Sequence, residues 1–346
     1  MVPRCKTDLH PMRLVRANVL IGLLAIRVAL PVEAAPPAGA TAWPDSAALP
    51  ARFTRIGPEQ GLFADVRSIT QDHQGFMWFG TSQAGLNRYD GREIKIYRND
   101  PRDSGSLSQN YIWSLFVSRK GVLWVGTAGG LDRYDRERDA FVHFRHDPQD
   151  PSTLPNNIVL SLCEDAAGEL WVGTRGGLSR LDQASGHFHN YSRATGGIVS
   201  PTVDEIRYIA EDTATGLLWL GTSDGFCAFD RHTGYFATFC REPFATAAPG
   251  VNAFNALLKD AGGTFWLASE NGLAAFVPDL TAVDRPDAPP RLASLRIFQH
   301  DPADPATLSG NHIHSAILDR RGRLWAGTQD GLDEFDTRTG TVVRNG

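Results

Sequence analysis

Basic charge is in deficit in this sequence, and cysteine and helical periodicity are scarce too. Its 34 Lys and Arg residues face 39 Asp and Glu over 346 residues, for a formal net charge of −5. A net acidic chain has no electrostatic footprint for nucleic acid. The four cysteines stand in no C-x-x-C or other zinc spacing. There is no Walker phosphate loop, nucleophile elbow, H-E-x-x-H helix or dinucleotide fingerprint. No cofactor and no bound metal is therefore expected. After residue 50 no run has a helical period. The length alone would suggest two or three domains unless one repeat absorbs it.

Such a repeat is present. Trp78, Trp124, Trp171, Trp219, Trp266 and Trp325 each open the same phrase: W-F-G-T, W-V-G-T, W-V-G-T, W-L-G-T, W-L-A-S and W-A-G-T. They are separated by 46, 47, 48, 47 and 59 residues, and the Pro-rich run Asp284 to Pro290 accounts for the long last gap. A Gly precedes each Trp, from Gly75 to Gly322, usually with an Asp before it: Asp72, Asp165, Asp212, Asp260 and Asp319. A second Gly follows, and five copies go on to an apolar-Asp pair such as Tyr89-Asp90 or Phe335-Asp336. Each copy parses into four short strands. In the third these are Ile158 to Glu164, Leu170 to Thr174, Leu178 to Leu181 and Phe188 to Tyr191, divided by Gly-containing turns.

A repeat of about 40–50 residues with four strands predicts an all-β fold, a β-propeller of six four-stranded blades over residues 53–346. Ring closure has two readings. Phe53 to Ile56 and Thr341 to Arg344 both resemble a fourth strand. Either the first closes the sixth blade of a six-bladed ring, or both are fourth strands and the ring is an incomplete seven-bladed one.

Residues 1–35 differ in composition. Arg4, Lys6, Arg13 and Arg16 precede an apolar run from Val19 to Leu30, interrupted by Arg27, and then small residues at Ala34-Ala35. This is the pattern of a secretory signal peptide, with an N-terminal anchor as the alternative, because the run is short for a membrane span. Residues 36–52 read as a linker. Export would leave Cys163, Cys227 and Cys240; the last two lie on consecutive strands in a diagonal register, which favours buried thiols over a bond.

Function is sought where the copies differ. The first strand of each blade lines the channel, and one aligned position in it holds Arg67, Trp113, Leu160, Arg207, Asn255 and His314. The position two residues on is steadily apolar or small. A slot that varies within a uniform frame points to individual roles, and Arg and Trp are strong anchors for a partner. The loops from second to third strand share that face and add Arg175, Asp224, Glu270 and Gln329. So do the longest loops, which share a D-P-x-D-x-x-x-L pattern: Asn99 to Gln109, Asp147 to Pro155 and Asp301 to Gly310. The pairs His187/His189 and His312/His314 lack a third metal ligand, and the Asp-x-x-Gly phrases read as turns.

The run from Gln71 to Asp90, Q-D-H-Q-G-F-M-W-F-G-T-S-Q-A-G-L-N-R-Y-D, resembles the two-component regulator propeller repeat. The resemblance covers residues 53 to 340. It implies a periplasmic sensing role, with a small-molecule or oligosaccharide ligand and a kinase or diguanylate cyclase output that these 346 residues do not contain. The expectation is therefore a ligand-binding module rather than an enzyme. It would signal through a membrane partner or through its own missing C-terminal part. Two alternatives differ in class. One is a lyase resembling the streptogramin lyase propellers, with His314 and Glu270 as the pair to test. The other is a scaffold that holds a protein on the same face.

Overall fold

Apolar runs of only a few residues, each ended by a Gly-containing turn, cannot build helices and pair instead with their neighbours in sequence. A computed structural model describes residues 56–57, 59, 61–62, 65–191, 205–222, 225–239, 254–279, 291–319 and 321–343. Blade one comprises β1 (Val66–Gln71), β2 (Met77–Thr81), β3 (Leu86–Tyr89) and β4 (Ile94–Tyr97). Blade two comprises β5 (Ile112–Val117), β6 (Leu123–Thr127), β7 (Gly130–Asp135) and β8 (Ala140–Phe144). Blade three has β9 (Val159–Glu164), β10 (Leu170–Thr174), β11 (Gly177–Leu181) and β12 (Phe188–Tyr191). Blade four has β13 (Ile206–Asp212), β14 (Leu217–Thr222), β15 (Gly225–Asp230) and β16 (Tyr235–Phe239). Blade five has β17 (Phe254–Lys259), β18 (Phe265–Ser269), β19 (Gly272–Asp279) and β20 (Arg291–Phe298). Blade six has β21 (Ile313–Leu318), β22 (Leu324–Thr328), β23 (Leu332–Asp336) and β24 (Thr341–Val343). Every blade is an antiparallel sheet with its strands in sequence order, and the six stand in a ring with their first strands innermost. The protein is a six-bladed β-propeller.

The Asp-to-Trp phrase is a closed hydrogen-bonding unit. One oxygen of Asp165 accepts the backbone N–H groups of Ala167 and Glu169, and the other accepts Trp171 Nε1–H at 2.9 Å. Asp72, Asp260 and Asp319 repeat this with Trp78, Trp266 and Trp325. The Asp thus fixes both its own turn and the tilt of the indole, as the turn reading anticipates. Neighbouring blades clasp two of these carboxylates and the equivalent Asp212: Arg136 reaches Asp72 at 2.8 Å, Arg231 reaches Asp165 at 2.6 Å, and Lys259 reaches Asp212 at 2.8 Å. Burial pushes these three carboxyls up, but the hydrogen bonds and cations outweigh it and hold them below the usual range.

Blade faces are buried against one another. The tryptophan, the first apolar residue of the third strand and the outer aromatic of one blade pack on the first three strands of the next. Trp78, Leu86 and Tyr97 thus meet Ile112, Leu115 and Val125. Trp124 and Leu131 meet Val159, Leu162 and Val172, and Trp171 and Leu178 meet Ile206, Ile209 and Leu220. Two further clusters join blades four to five and five to six. The Gly of the W-x-G-T phrase is demanded by this approach. A Cβ on Gly173 would stand 2.6 Å from the Ile206 carbonyl, closer than any real contact.

The sixth junction is different. The third-strand position held by Leu86, Leu131, Leu178, Phe226 and Leu273 is 0% exposed in each, whereas Leu332 is 38% exposed and Trp325 is half-buried. Among the described residues no apolar cluster joins blade six to blade one, and β21 lacks the close packing on β1 that unites the other inner strands.

β24 decides one half of the closure question: Thr341 to Val343 is blade six's own outer strand, hydrogen-bonded to β23. The other candidate strand, Phe53 to Ile56, lies outside the described residues except for Ile56. The expected leader, the linker and Cys240 also lie outside them. Cys227 is wholly buried, and burial pushes its thiol up to about 12. Among the described residues no helix is long and apolar enough to cross a membrane.

Two outcomes follow from this packing. Replacing Asp165 by Ala strands Trp171 Nε1–H and two backbone donors and leaves Arg231 with Glu211 alone, and should lower the unfolding free energy by more than about 2 kcal/mol. The depressed carboxyls contribute stability that is complete above the unfolded pKa and is lost as pH falls through the folded value. Asp165→Ala should therefore flatten the acid side of a Tm-against-pH curve. Separately, Leu178→Ala should cost about 2–5 kcal/mol in chemical denaturation, and Leu332→Ala less than about 1. Equal costs would mean the sixth junction is packed like the others.

Candidate functional site

The varying slot has a structural cause. In all six blades the pairing of the first with the second strand slips by one residue, and the skipped residue is always the slot. Val66 pairs with Thr81 and Ser68 with Gly80, leaving Arg67 unpaired. The same slip falls at Trp113, Leu160, Arg207, Asn255 and His314. Each is the extra residue of a β-bulge, a device that turns one side chain out of the regular alternation. The bulges stand at the end of the inner strand facing the second-to-third loops. Those loops are tied to it: Ser82 N–H donates to the Asp65 carbonyl, Ala128 to Tyr111, Arg175 to Ile158 and Gln329 to His312, at 3.0–3.1 Å. Around the axis the fold therefore carries a ring of six bulge side chains on a rigid frame.

Their surroundings sort them. The Arg67 guanidinium lies over the rings of Tyr111 and Trp113, 5.4 and 5.5 Å from their centroids. Those two rings are 4.6 Å apart and tilted by 41°, making one aromatic platform. Arg207 pairs with Glu205 at 3.3 Å, and Arg175 approaches the same carboxylate oxygen at 3.6 Å. His314 lies against His312 with ring centroids 4.3 Å apart. Burial, then His312, then the charge of Arg67 hold the His314 imidazole below its ordinary range, against a smaller opposing pull from Glu270, so it is uncharged at neutral pH. Leu160 is buried.

Three polar atoms of the ring are buried without a hydrogen-bond partner: Trp113 Nε1, Arg207 Nε and His314 Nε2. Groups of this kind are costly and rare, and they concentrate at functional positions. Asn255 differs, because its amide donates to the Ile313 carbonyl at 2.7 Å and so sews blade five to blade six. Asp224 lies outside the described residues. Sequence reasoning passed over Tyr111 and Glu205. Each stands two residues before a slot, and that spacing along an inner strand was the available signal.

Other clusters are structural. The described residues hold no group of three side chains suited to a metal ion. His187 and His189 are exposed on the rim. On the opposite face, the cleft between Asp212 and Lys259 has its charges already joined.

The ring separates by substitution. Asn255→Ala should lower Tm, through the loss of one inter-blade bond of about 1 kcal/mol. Arg67→Ala, which removes an exposed side chain resting on aromatic faces, should leave Tm within about a degree or two while changing tryptophan fluorescence. The reverse order of Tm effects would show Arg67 to be the structural member of the pair.

Residues 61–83, 106–129, 153–176 and 307–330 match the family described as the two-component regulator propeller. Over 85% of its length the chain is similar to the extracellular domain of a hybrid two-component system from B. thetaiotaomicron, with 26% identity and a TM-score of 0.67, and covers 36% of that chain. A second such domain from the same organism is 20% identical over 84% of this chain and 39% of that one, with a TM-score of 0.53, and shares the fold. Virginiamycin B lyase from Staphylococcus aureus is alike in fold alone, at 13% identity and a TM-score of 0.58 over 81% of this chain and 83% of the lyase. Among curated proteins, Histidine kinase P4 of Formosa agariphila is 47% identical over 57 residues, which is 16% of this chain and 4% of the kinase. The chain thus spans a small part of the kinase and little more than a third of the extracellular domains. The stretches in blades one, two, three and six that carry the W-x-G-T phrase thus match the repeat of the two-component regulator propeller.

Proposed function

We propose that this chain is the exported ligand-binding sensor of a two-component-type receptor, and that the bulge ring is its binding site. The observation that carries the reading is the ring itself: six aligned bulges, three of them presenting a buried polar atom without a partner. Bulges re-aim side chains, and binding residues gather where loops meet a rigid frame. The likeness to the extracellular domain of a hybrid two-component system supports export to the periplasm, and a small-molecule or oligosaccharide ligand is what the resemblance of the repeat implies. Recognition rests on Arg67, Trp113, Arg207 and His314, with Arg175 beside them. The output is delivered by a membrane partner or by further sequence of a longer receptor, and this chain binds rather than catalyses.

A lyase reading rests on one observation, that His314 is uncharged and feels Glu270, as a general base would. It lacks a group of metal-ligating side chains among the described residues.

The test is a thermal-shift screen against mono- and oligosaccharides and small metabolites, followed by calorimetry on the ligand found. The double substitution Trp113→Ala with Arg207→Ala should abolish binding while circular dichroism remains that of a folded propeller. Unchanged affinity in that folded variant would remove the ring as the site. Loss of turnover with intact affinity in His314→Ala would replace the sensor by the enzyme.

A further inference from the structure

Resting on the ring as the binding site, we infer that its ligand is a planar or chair-shaped ring carrying an anionic group, a carboxylate or sulfate. The aromatic half of the argument is the Tyr111–Trp113 platform. Two rings 4.6 Å apart at the mouth of a channel offer a face on which a planar or chair-shaped ring can stack. That face is covered by the Arg67 guanidinium, at 5.4 and 5.5 Å from the two centroids. A stacked ring must therefore displace Arg67, and a displaced guanidinium needs a new negative partner close by. An anionic group on the ring supplies it. A neutral ring would leave Arg67 without either its aromatic contact or a counter-charge.

The electrostatic half comes from the donors left without a partner and the charges around them. The six bulge positions hold two arginines, one indole, one amide, one uncharged imidazole, one leucine and no carboxylate, in a chain whose net charge is −5. Among the described residues the carboxylates of this face are Glu205 and the exposed Asp65, Glu270 and Asp330. Water and salt screen the exposed ones. Glu205 is shared by Arg175 and Arg207, leaving that trio with one net positive charge. The unpartnered atoms include two obligate donors, Trp113 Nε1–H and Arg207 Nε–H, and an indole or guanidinium nitrogen can only donate. Their complement is a group rich in acceptors. Guanidinium groups meet carboxylate and sulfate oxygens in a fork geometry that a neutral hydroxyl cannot match.

The experiment is calorimetric titration of the full chain with matched pairs that differ in charge alone. Glucuronate is set against glucose, benzoate against benzyl alcohol, and inorganic sulfate serves as an anion without a ring. The expected result is that the charged member of one ring pair binds at least about tenfold more tightly than its neutral partner, with that preference falling as salt is raised. Which pair shows it distinguishes a sugar acid from an aromatic acid. Arg67→Gln and Arg207→Gln should each erase the preference, and Arg207→Lys, which keeps the Glu205 pair, serves if the glutamine variant does not fold. Arg338→Gln, remote in the third-to-fourth turn of blade six, should leave it unchanged. Equal binding of charged and neutral rings would overturn the inference and leave the binding site standing. So would a neutral saccharide from the screen that needs Trp113 but neither arginine. Sulfate binding as tightly as either ring would remove the stacking half. Failure of every probe, together with a screen in which no ligand depends on the ring, would overturn the site itself.

Discussion

Everything in this molecule depends on the burial of one blade's tryptophan face against the inner strands of the next. Four strands of three to eight residues form a sheet too small to be stable alone. Each sheet has two apolar faces, and neighbours must cover both. The Gly of the W-x-G-T phrase lets the backbones approach, and the Asp–indole bond holds the large ring at the angle at which it fills the gap. Because this contact is repeated, the sequence is repeated, and the tolerance for change is concentrated wherever the contact does not reach.

The place it does not reach is the bulge. At that point the inner strand slips against its partner and one side chain per blade leaves the packed alternation. The frame on either side recurs: a buried apolar residue before the bulge in five blades, a small buried residue after it in most, and a second-to-third loop bonded across it in blades one, two, three and six. A residue in this position can become Arg, Trp, Leu, Asn or His at little cost to the core. The fold thereby separates stability from recognition. Asn255 marks the limit of that separation, since its amide has been drawn into the inter-blade bonding.

The fold was legible because its contacts are local in sequence and repeat six times. Trp171, Gly173 and Asp165 each occupy a place that chemistry restricts, so the copies agree there. The slot was legible for the opposite reason, because the copies disagree. What could not be read was why it varies, since a bulge is a property of two strands in register and leaves no mark on either alone. The platform was half seen: Trp113 lies in the slot, but Tyr111 stands two residues earlier. Nor could the exposure of Leu332 be read, because it is the same residue type as the buried Leu178 and its exposure depends on what stands beside it. Fourth-strand phrases at both ends gave an ambiguous ring. The pairing of β24 with β23 removed half of that ambiguity.

The two ends of the ring also bear on how binding energy is distributed. Arg67 belongs to blade one and His314 to blade six, and the charge of the first depresses the basicity of the second. These blades meet at the junction that lacks a shared apolar cluster among the described residues. Local opening costs least where the fewest apolar contacts must be broken. The remaining four slots sit between blades joined by full clusters, so Trp113 and Arg207 are held by stiff neighbours. Among the described residues, a ring of recognition side chains is thus mounted on five junctions with a shared apolar cluster and one without. Strain introduced at the ring would be relieved first between blades six and one, because the other five junctions would have to give up fully buried tryptophans and leucines to yield.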